Sequence, residues 1–306
     1  MTTMLKPASA RFRLSMVPRG STGKPRLARI LSRPFEEGSD FASVVYAPDM
    51  PSWNRGLAPV RNAFIAAVRP LDYRRVDECS RVIEWAAPRM GDQVLDVGCG
   101  DGHYDRRLAA AGCTVHAIDA RSERVALAVA RNPHPRVSYY DMPAEQLAFP
   151  DDRFDVAVSI CVLEHIADDC AALREIHRVL RPGGRLVLSC DSLSNREIDQ
   201  GLRERHAVRY AVHRFYTRES LTTRLESLGF AVQRTSYVLT SSLSLAIARF
   251  TYMLDDVGRL PGGWAIKFPG LALAGTIGLA ASRAAERISG RDGEGLTLLA
   301  EARKPS

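Results

Sequence analysis

The segment Val94–Gly102 constrains the fold of this chain more than any other part of its sequence. It reads as a short apolar strand containing Asp96, followed by Gly98, Gly100 and Gly102, three glycines at alternate positions. Glycine is needed where a chain turns sharply and a ligand approaches the backbone closely. In doubly wound α/β sheets this demand arises where the first strand ends beside a nucleotide-like ligand. The segment therefore predicts the first strand and the ligand-binding loop of such a sheet.

The spacing of these glycines argues against two other nucleotide-binding loops. A dinucleotide-binding loop has the pattern G-x-G-x-x-G, and this chain has His103 where the third glycine would stand. A phosphate-binding P-loop needs a lysine directly after its glycines, and none follows here. An NAD(P)-dependent oxidoreductase is therefore an alternative that lacks its expected glycine.

Further apolar runs with the length and composition of strands follow the glycine loop. They are Thr114–Ile118, Arg136–Tyr140, Phe154–Ser159, Arg185–Ser189, Phe230–Val238 and Leu296–Ala302. Helical patterns lie between most of them, and strands that alternate with helices are typical of a parallel sheet. We expect an α/β fold with a Rossmann-like, seven-stranded, mostly parallel sheet and helices on both faces.

Five sequence features of this region are informative because of the order in which they follow one another. Asp119 ends the second strand 23 residues after Asp96, near the offset of roughly 20 at which a carboxylate binds ribose hydroxyls. Three later strings are Leu147–Pro150, Leu163–His165 and Leu180–Gly184. With the glycine loop, they resemble the class I S-adenosylmethionine-dependent methyltransferases over residues 90–238 and the last strand. The resemblance implies a methyltransferase with S-adenosyl-L-methionine as cofactor; a catalytically silent interaction module is the alternative.

The resemblance also implies which residues hold the cofactor. Asp96 and the backbone of the glycine loop would bind its amino-acid end, Asp119 its ribose, and Asp141 with Met142 its adenine. The full predicted set is Asp96, Gly98, Cys99, Gly100, Gly102, Asp119, Ala120, Asp141, Met142 and Cys161. Most of these positions follow strand ends, where ligands of doubly wound sheets bind.

His165 is the candidate general base, because the unperturbed pKa of histidine lies near working pH. The string Leu163–His165 also recurs in the resembled family as a scaffold feature, so a structural role stays open. Neither histidines paired at helical spacing nor a catechol-type carboxylate set is visible, and we predict no metal ligand. The string Ser159–Val162 lacks the Asn/Asp-Pro-Pro-aromatic and Pro-Cys patterns of nucleic-acid-methylating enzymes, so we expect a small-molecule acceptor.

The positive charge of the chain is concentrated at its start. Residues 1–34 hold eight Lys or Arg and no acid, which leaves 42 − 8 = 34 basic residues against 35 acidic ones in the remainder. A near-neutral body argues against a nucleic-acid groove. The segment is typical of a disordered, solvated extension, of a sequence attracted to anionic lipid, or of a transit peptide for an organelle matrix. The six cysteines show no C-x-x-C spacing, so reduced thiols and a cytoplasmic protein are expected.

The sequence divides into four parts. Residues 1–40 are the basic tail, and residues 41–90 are an N-terminal helical cap with helical patterns at Val60–Val68 and Arg75–Ala87. Residues 91–238 and 296–306 form the cofactor-binding domain. Residues 239–295 are an apolar helical insertion before the last strand.

The insertion has two apolar helical stretches, Ser242–Leu254 and Phe268–Ile288. Helices with so many apolar residues need to bury their apolar surface against another surface. They suit a lid over a lipophilic acceptor, a homodimer surface or a peripheral membrane contact. No stretch reaches the roughly 18–20 uncharged apolar residues that cross a bilayer; the two nearest to it, Thr235–Ala248 and Phe268–Ser282, are too short. The lid interpretation predicts a lipophilic acceptor, with O-methylation preferred to C-methylation.

Overall fold

The computed structural model describes residues 73–258, 260, 262–289 and 293–306. The strands are β1 (Gln93–Val97), β2 (Thr114–Asp119), β3 (Val137–Asp141), β4 (Phe154–Ile160), β5 (Leu180–Asp191), β6 (Ala231–Val238) and β7 (Thr297–Arg303). The helices are α1 (Tyr73–Ala86), α2 (Asp105–Ala109), α3 (Ser122–Arg131), α4 (Asp169–Val179), α5 (Gln200–Tyr210), α6 (Arg218–Ser227), α7 (Ser242–Val257), α8 (Trp264–Leu273) and α9 (Leu279–Ser289). The tail and the predicted helix Val60–Val68 lie outside the described residues.

The strands form one seven-stranded sheet in the order β3-β2-β1-β4-β5-β7-β6. Strands β1 to β5 pair in parallel, whereas β7 pairs antiparallel with both β5 and β6. The predicted mostly parallel, Rossmann-like sheet is confirmed. The strand order reverses between β1 and β4, and ligands of open α/β sheets bind at such a reversal, beyond the carboxyl ends of the strands.

Helices cover both faces of the sheet. Because side chains alternate along a strand, Val94 and Leu95 of β1 point to opposite faces. Val94 belongs to an apolar cluster with residues of α1, α2 and α3, and Leu95 to a second cluster with residues of α4 and α6. Both side chains are fully buried. The sheet is therefore the middle layer of three, which leaves its carboxyl edge as the place for a ligand.

Capping side chains start several of the helices. The side chains of Asp168, Asp199, Thr217 and Ser241 each accept a hydrogen bond from a backbone N–H in the first turn of α4, α5, α6 and α7. Such caps satisfy one of the orphan donors at a helix start. Sequence analysis did not predict α5, because its apolar positions lack a clear helical period. The one residue in the sequence that could have indicated its start is Asp199, because aspartate often caps the first turn of a helix.

Two boundaries differ from the prediction. Asp141 is the last residue of β3 rather than the residue after it. β5 begins at Leu180, which pairs with Phe154, and the next aligned pair is Arg185 with Val156. The string Leu180–Gly184, which was expected to precede the strand Arg185–Ser189, is therefore a bulge within the strand, where Gly183 adopts a φ of 77°.

The insertion between β6 and β7 contains α7, α8 and α9, and a π-helical turn, Ala274–Gly278, joins α8 to α9 without a break. The continuous helix Trp264–Ile288, here called the long insertion helix, has 25 residues, and an 18-residue window within it has a mean hydropathy of 1.3. By length and composition this helix can cross a membrane. The helix reaches this length because Pro269 and the glycines lie inside it without ending it, whereas its longest uncharged run, Phe268–Ser282, is as short as expected.

Candidate active site

The glycine loop folds tightly over β1 because two of its glycines leave no space for a side chain. A Cβ on Gly98 would lie 2.3 Å from Cγ2 of Val162, and a Cβ on Gly102 would lie 2.5 Å from the Tyr139 hydroxyl oxygen. Both glycines also have positive φ angles, 79° and 75°. Their role is thus to pack the loop against the protein.

Gly100 differs from these two glycines. Its φ is 60°, yet a Cβ there would meet no described atom within 4 Å. Its N–H donates to Oδ2 of Asp119 over 3.0 Å, and the N–H of Arg121 donates to Oδ1 over 2.9 Å. Each carboxylate oxygen can accept a further hydrogen bond. Open space beside Gly100 and an anchored carboxylate at Asp119 fit a ligand that presents hydroxyl groups.

Two acidic side chains lie under the loop. Asp96 and Asp105 are buried, with 5% and 0% of their surface exposed. Burial and the neighbouring Asp96 raise the pKa of Asp105 well above its usual range, so Asp105 is protonated, and its carboxyl oxygens have no hydrogen-bond partner among the described residues. Burial also raises the pKa of Asp96 to about 6, although the neighbouring Asp105 acts to lower it. At neutral pH this pair carries one negative charge, at the end of β1.

The predicted adenine residues lie at the end of β3. Asp141 pairs in register with Asp119, and the N–H of Met142 donates to the Asp119 carbonyl oxygen over 3.0 Å. Partial burial, with Glu123 and Asp119 nearby, raises the pKa of the Asp141 carboxyl. Asp141 and Ala120 are exposed and Met142 is half-buried. These residues therefore border one continuous edge with the glycine loop.

Cys161 takes a different position from the one expected of a cofactor contact. Its thiol is 4% exposed and donates to Oε2 of Glu78, on α1, over 3.1 Å. Burial raises the pKa of this thiol well above its usual range, so it is protonated. Its φ of 49° is left-handed. The side chain links β4 to α1, and the backbone of Cys161 follows directly after the carboxyl end of β4.

His165 lies in a 3₁₀ turn, Leu163–His165, that follows β4. Its Nδ1 lies 3.3 Å from the carbonyl oxygen of Ala211. A carbonyl accepts only, so Nδ1 carries the proton and Nε2 holds the free lone pair. Burial lowers the pKa of the imidazole. His165 is therefore neutral at pH 7 and able to accept a proton at Nε2.

A closed ring of hydrogen bonds lies beyond the end of β5. Asp191 accepts from Arg74 Nη2 and lies beside His206 Nε2, each over 2.5 Å. Tyr252 completes the ring, with its hydroxyl 2.5 Å from His206 Nδ1 and 3.3 Å from Arg74 Nη1. Burial alone would raise the pKa of Asp191, but Arg74 and His206 outweigh it and hold that pKa well below its usual range. The ring joins β5, α1, α5 and α7 around one buried carboxylate.

Glu164 lies next to this ring. Its Oε1 accepts from the Asp191 N–H over 3.1 Å, while Oε2 has no hydrogen-bond partner among the described residues. Burial and the nearby Asp191 raise the pKa of Glu164 to about 8. One ligand atom from each of Cys161, Glu164 and Asp191 lies within 4.8 Å of the others. Sequence analysis predicted no metal ligand and did not foresee this cluster.

Comparison with known proteins relates this edge of the sheet to a known chemistry. Residues 95–188 match the family model of a methyltransferase domain. This range contains the glycine loop, Asp119, Asp141 and His165. It ends within β5.

Curated relatives match the same part of the chain. A ubiquinone biosynthesis O-methyltransferase of Pseudomonas syringae pv. tomato is 34% identical over 125 residues, which are 40% of this chain and 51% of that protein. A malonyl-[acyl-carrier protein] O-methyltransferase of Erwinia billingiae is 38% identical over 112 residues, which are 36% of this chain and 44% of that protein. The chain thus spans about half the length of the curated relatives it matches.

Solved structures match a larger part. A [4+2]-cyclase has a TM-score of 0.52 at 27% identity, over 74% of this chain and 80% of that one. Phosphoethanolamine N-methyltransferase 2 of Haemonchus contortus, solved with S-adenosyl-L-methionine, has a TM-score of 0.55 at 19% identity, over 84% of this chain and 61% of that one. The second likeness is one of fold alone.

Proposed function

Because this chain contains a class I S-adenosylmethionine-dependent methyltransferase domain, we propose that the protein catalyses O-methylation of a small lipophilic acceptor. The observation that carries this proposal is the pairing of an open Gly100 with the anchored carboxylate of Asp119. S-adenosyl-L-methionine, when bound, supplies a methyl group already activated by a positive sulfur. The task left to the protein is chiefly to bind and orient the reactants, which can be worth roughly 7–11 kcal/mol of barrier.

The residues at the carboxyl edge fit this cofactor. Asp119 would accept the two ribose hydroxyls, because a carboxylate offers two acceptor atoms to two vicinal donors. The single negative charge of Asp96 and Asp105 would attract an ammonium group at the amino-acid end. Asp141 would accept from the adenine amine. Cys161 would contribute through its backbone, since its thiol already donates to Glu78.

His165 would act on the acceptor. Its neutral imidazole with a free lone pair on Nε2 can take the proton of an acceptor hydroxyl, which raises the nucleophilicity of the oxygen. A positioned base contributes typically 10²–10⁴-fold in rate. The contact of Nδ1 with the Ala211 carbonyl fixes the tautomer that this role needs.

Two observations support a lipophilic acceptor and transfer to oxygen. The insertion reaches the site through Tyr252, which hydrogen-bonds to Arg74 and His206, and this insertion is rich in apolar residues. The two curated relatives described above are both named O-methyltransferases, one of them for ubiquinone biosynthesis. Small-molecule sites typically combine many apolar residues with a few convergent polar groups.

The test combines cofactor binding with methyl transfer. We expect saturable one-to-one binding of S-adenosylmethionine by titration calorimetry, and transfer of labelled methyl to phenols or carboxylic acids with long apolar tails. Asp119→Asn should weaken cofactor binding by about 10- to 100-fold, the value of a hydrogen bond to a charged group. Glu145→Gln, an exposed change outside the site, is the matched control.

His165→Asn separates catalysis from binding, because asparagine keeps a donor for Ala211 but cannot take a proton. We expect the turnover rate to fall and the cofactor affinity to stay within about twofold. Cofactor binding without transfer to any acceptor would favour another reaction on this fold, such as that of the structurally similar [4+2]-cyclase. Failure to bind the cofactor would favour a silent interaction module.

A further inference from the structure

The long insertion helix presents an uncharged, apolar stripe to solvent. Its exposed residues recur every three or four positions from Ala265 to Ala284, and none of them is charged. The side chains of Ile266, Leu273 and Ile277 are 62%, 53% and 68% exposed. At 1.5 Å per residue the stripe is about 30 Å long. Contiguous exposed apolar surface of this kind marks an interaction site.

The inward side of the same helix is apolar at Phe268, Ala274 and Leu279 and polar toward its C-terminal end. Ser282 and Glu286 are 0% and 3% exposed. Ser282 accepts from the Tyr73 hydroxyl over 2.8 Å, Glu286 lies 3.1 Å from Arg81, and Arg283 donates to Asp77 over 2.7 Å. A helix that only covers an apolar core has polar residues on its outer side. This helix instead presents uncharged residues outward from Ala265 to Ala284, and nothing in the described part of the protein covers them.

These buried contacts also decide how the helix meets that environment. Crossing a bilayer would pull Glu286 and Arg283 away from Arg81 and Asp77 and leave buried charges unpaired, which is costly. Lying along a bilayer surface keeps every one of these contacts and immerses only the stripe. The helix is therefore suited to the membrane interface, although its length and hydropathy would permit a span.

The positive charge at the start of the chain indicates which kind of bilayer surface the protein would bind. Residues 1–34 of the same chain carry eight basic residues and no acid. Anionic lipid attracts such segments more strongly with each additional Lys or Arg near the membrane. Stable membrane binding generally takes two signals of this kind, one apolar and one electrostatic.

We propose that the protein docks peripherally on bilayers that contain anionic lipid, with the stripe of the long insertion helix between headgroups and acyl chains. This proposal goes beyond methyl transfer and does not rest on it, because binding to vesicles needs neither cofactor nor acceptor. Docking would bring the ring residue Tyr252, on the neighbouring helix α7, close to the lipid. A lipophilic acceptor would then reach the site from the bilayer.

The test is flotation of the full chain with vesicles of phosphatidylcholine, with or without phosphatidylglycerol. We expect binding to the anionic vesicles, and at least a ~10-fold loss of binding in Leu273→Glu/Ile277→Glu, since each buried apolar side chain is worth a factor of about ten or more. The control is Val208→Glu on α5, where an 86% exposed apolar residue lies outside the insertion; it should bind like the unmodified chain. Circular dichroism checks that each variant is folded.

Three results would overturn the proposal. The first is no binding of the unmodified chain to anionic vesicles. The second is equal loss of binding in Val208→Glu and in the double variant. The third is a dimer in sedimentation velocity that the double variant converts to monomer while vesicle binding stays absent, which would make the stripe a homodimer surface.

Discussion

His206 Nε2 lies 2.5 Å from Oδ2 of Asp191, inside the protein. Because Asp191 is already ionised by Arg74, His206 can remain neutral, donate at Nε2 and accept at Nδ1 from Tyr252. That second bond crosses from α5 to α7 of the insertion. The insertion is therefore held to the end of β5 by specific hydrogen bonds as well as by apolar packing. A change in the position of the insertion would thus change the geometry of the site.

Removing the Tyr252 hydroxyl should loosen this link. Tyr252→Phe leaves Nδ1 of His206 buried without a donor, which costs about 1–3 kcal/mol. We expect the free energy of unfolding in urea to fall by that amount and the KM for the acceptor to rise more than the KM for the cofactor. Tyr210→Phe, which removes a part-buried bond to Asp255 on the same pair of helices, should cost less. Equal losses in the two variants would contradict a special role for the ring.

The affinity for S-adenosylmethionine should depend on pH through Asp96. The pKa of Asp96 is raised to about 6, so the carboxylate needed to hold an ammonium group is present above that pH and lost below it. The dissociation constant should rise as pH falls below 6, by up to about tenfold per unit. Titration calorimetry from about pH 5 to about pH 8 measures this dependence. Asp96→Asn should bind weakly and show a flat profile; an unchanged slope would rule out Asp96 as its origin.

Glu164 should make the protein less stable as pH rises. Its folded pKa of about 8 lies above the usual 4.5, so the folded state holds a proton that the unfolded state releases. The stability this provides is complete below pH 4.5 and is lost as pH rises through 8. Glu164→Gln removes the proton, so its free energy of unfolding relative to the unmodified chain should increase with pH, by at most about 1.4 kcal/mol per unit. Urea unfolding at several pH values tests this, and a constant difference would refute it.

Alanine substitutions should separate the structural from the ligand-facing glycines. Gly98→Ala adds a Cβ 2.3 Å from Val162 and should destabilise the fold by several kcal/mol, through strain and a clash. Gly100→Ala carries only the strain of positive φ, about 1 kcal/mol, but should weaken cofactor binding because it fills the open space. Thermal unfolding and calorimetry on both variants give the comparison. Similar unfolding temperatures for the two would show that the loop relaxes around Gly98.

The sheet and the cofactor edge could be predicted because their signals are local. Apolar runs of five to nine residues predicted the strands, and Gly98, Gly100 and Asp119 lie within 22 residues of one another. The ring of Arg74, Asp191, His206 and Tyr252 could not be predicted, since its members are up to 178 positions apart. In sequence, each resembles an ordinary polar residue of a surface or loop. Burial alone distinguishes them, and burial follows from tertiary packing.

The position of the insertion was predicted from the sequence, but the side chains that its helices turn inward were not. Its helical period and apolar composition are readable in the sequence, whereas Ser282 and Glu286 would be assigned to solvent by that same pattern. Their partners Tyr73 and Arg81 come from α1, about 200 positions earlier. Only the packing of α9 against α1 shows that these two polar side chains face inward.

The placement of β7 has a consequence for the order in which the chain folds. β7 lies between β5 and β6, yet it is synthesised after both, and after the whole insertion. On the ribosome, β6 has no hydrogen-bonding neighbour in the sheet until β7 emerges, and the unpaired edge of β5 stays open during that interval. Exposed strand edges recruit other chains, so this nascent protein should depend on chaperones during the synthesis of about 60 residues that separate Val238 from Thr297.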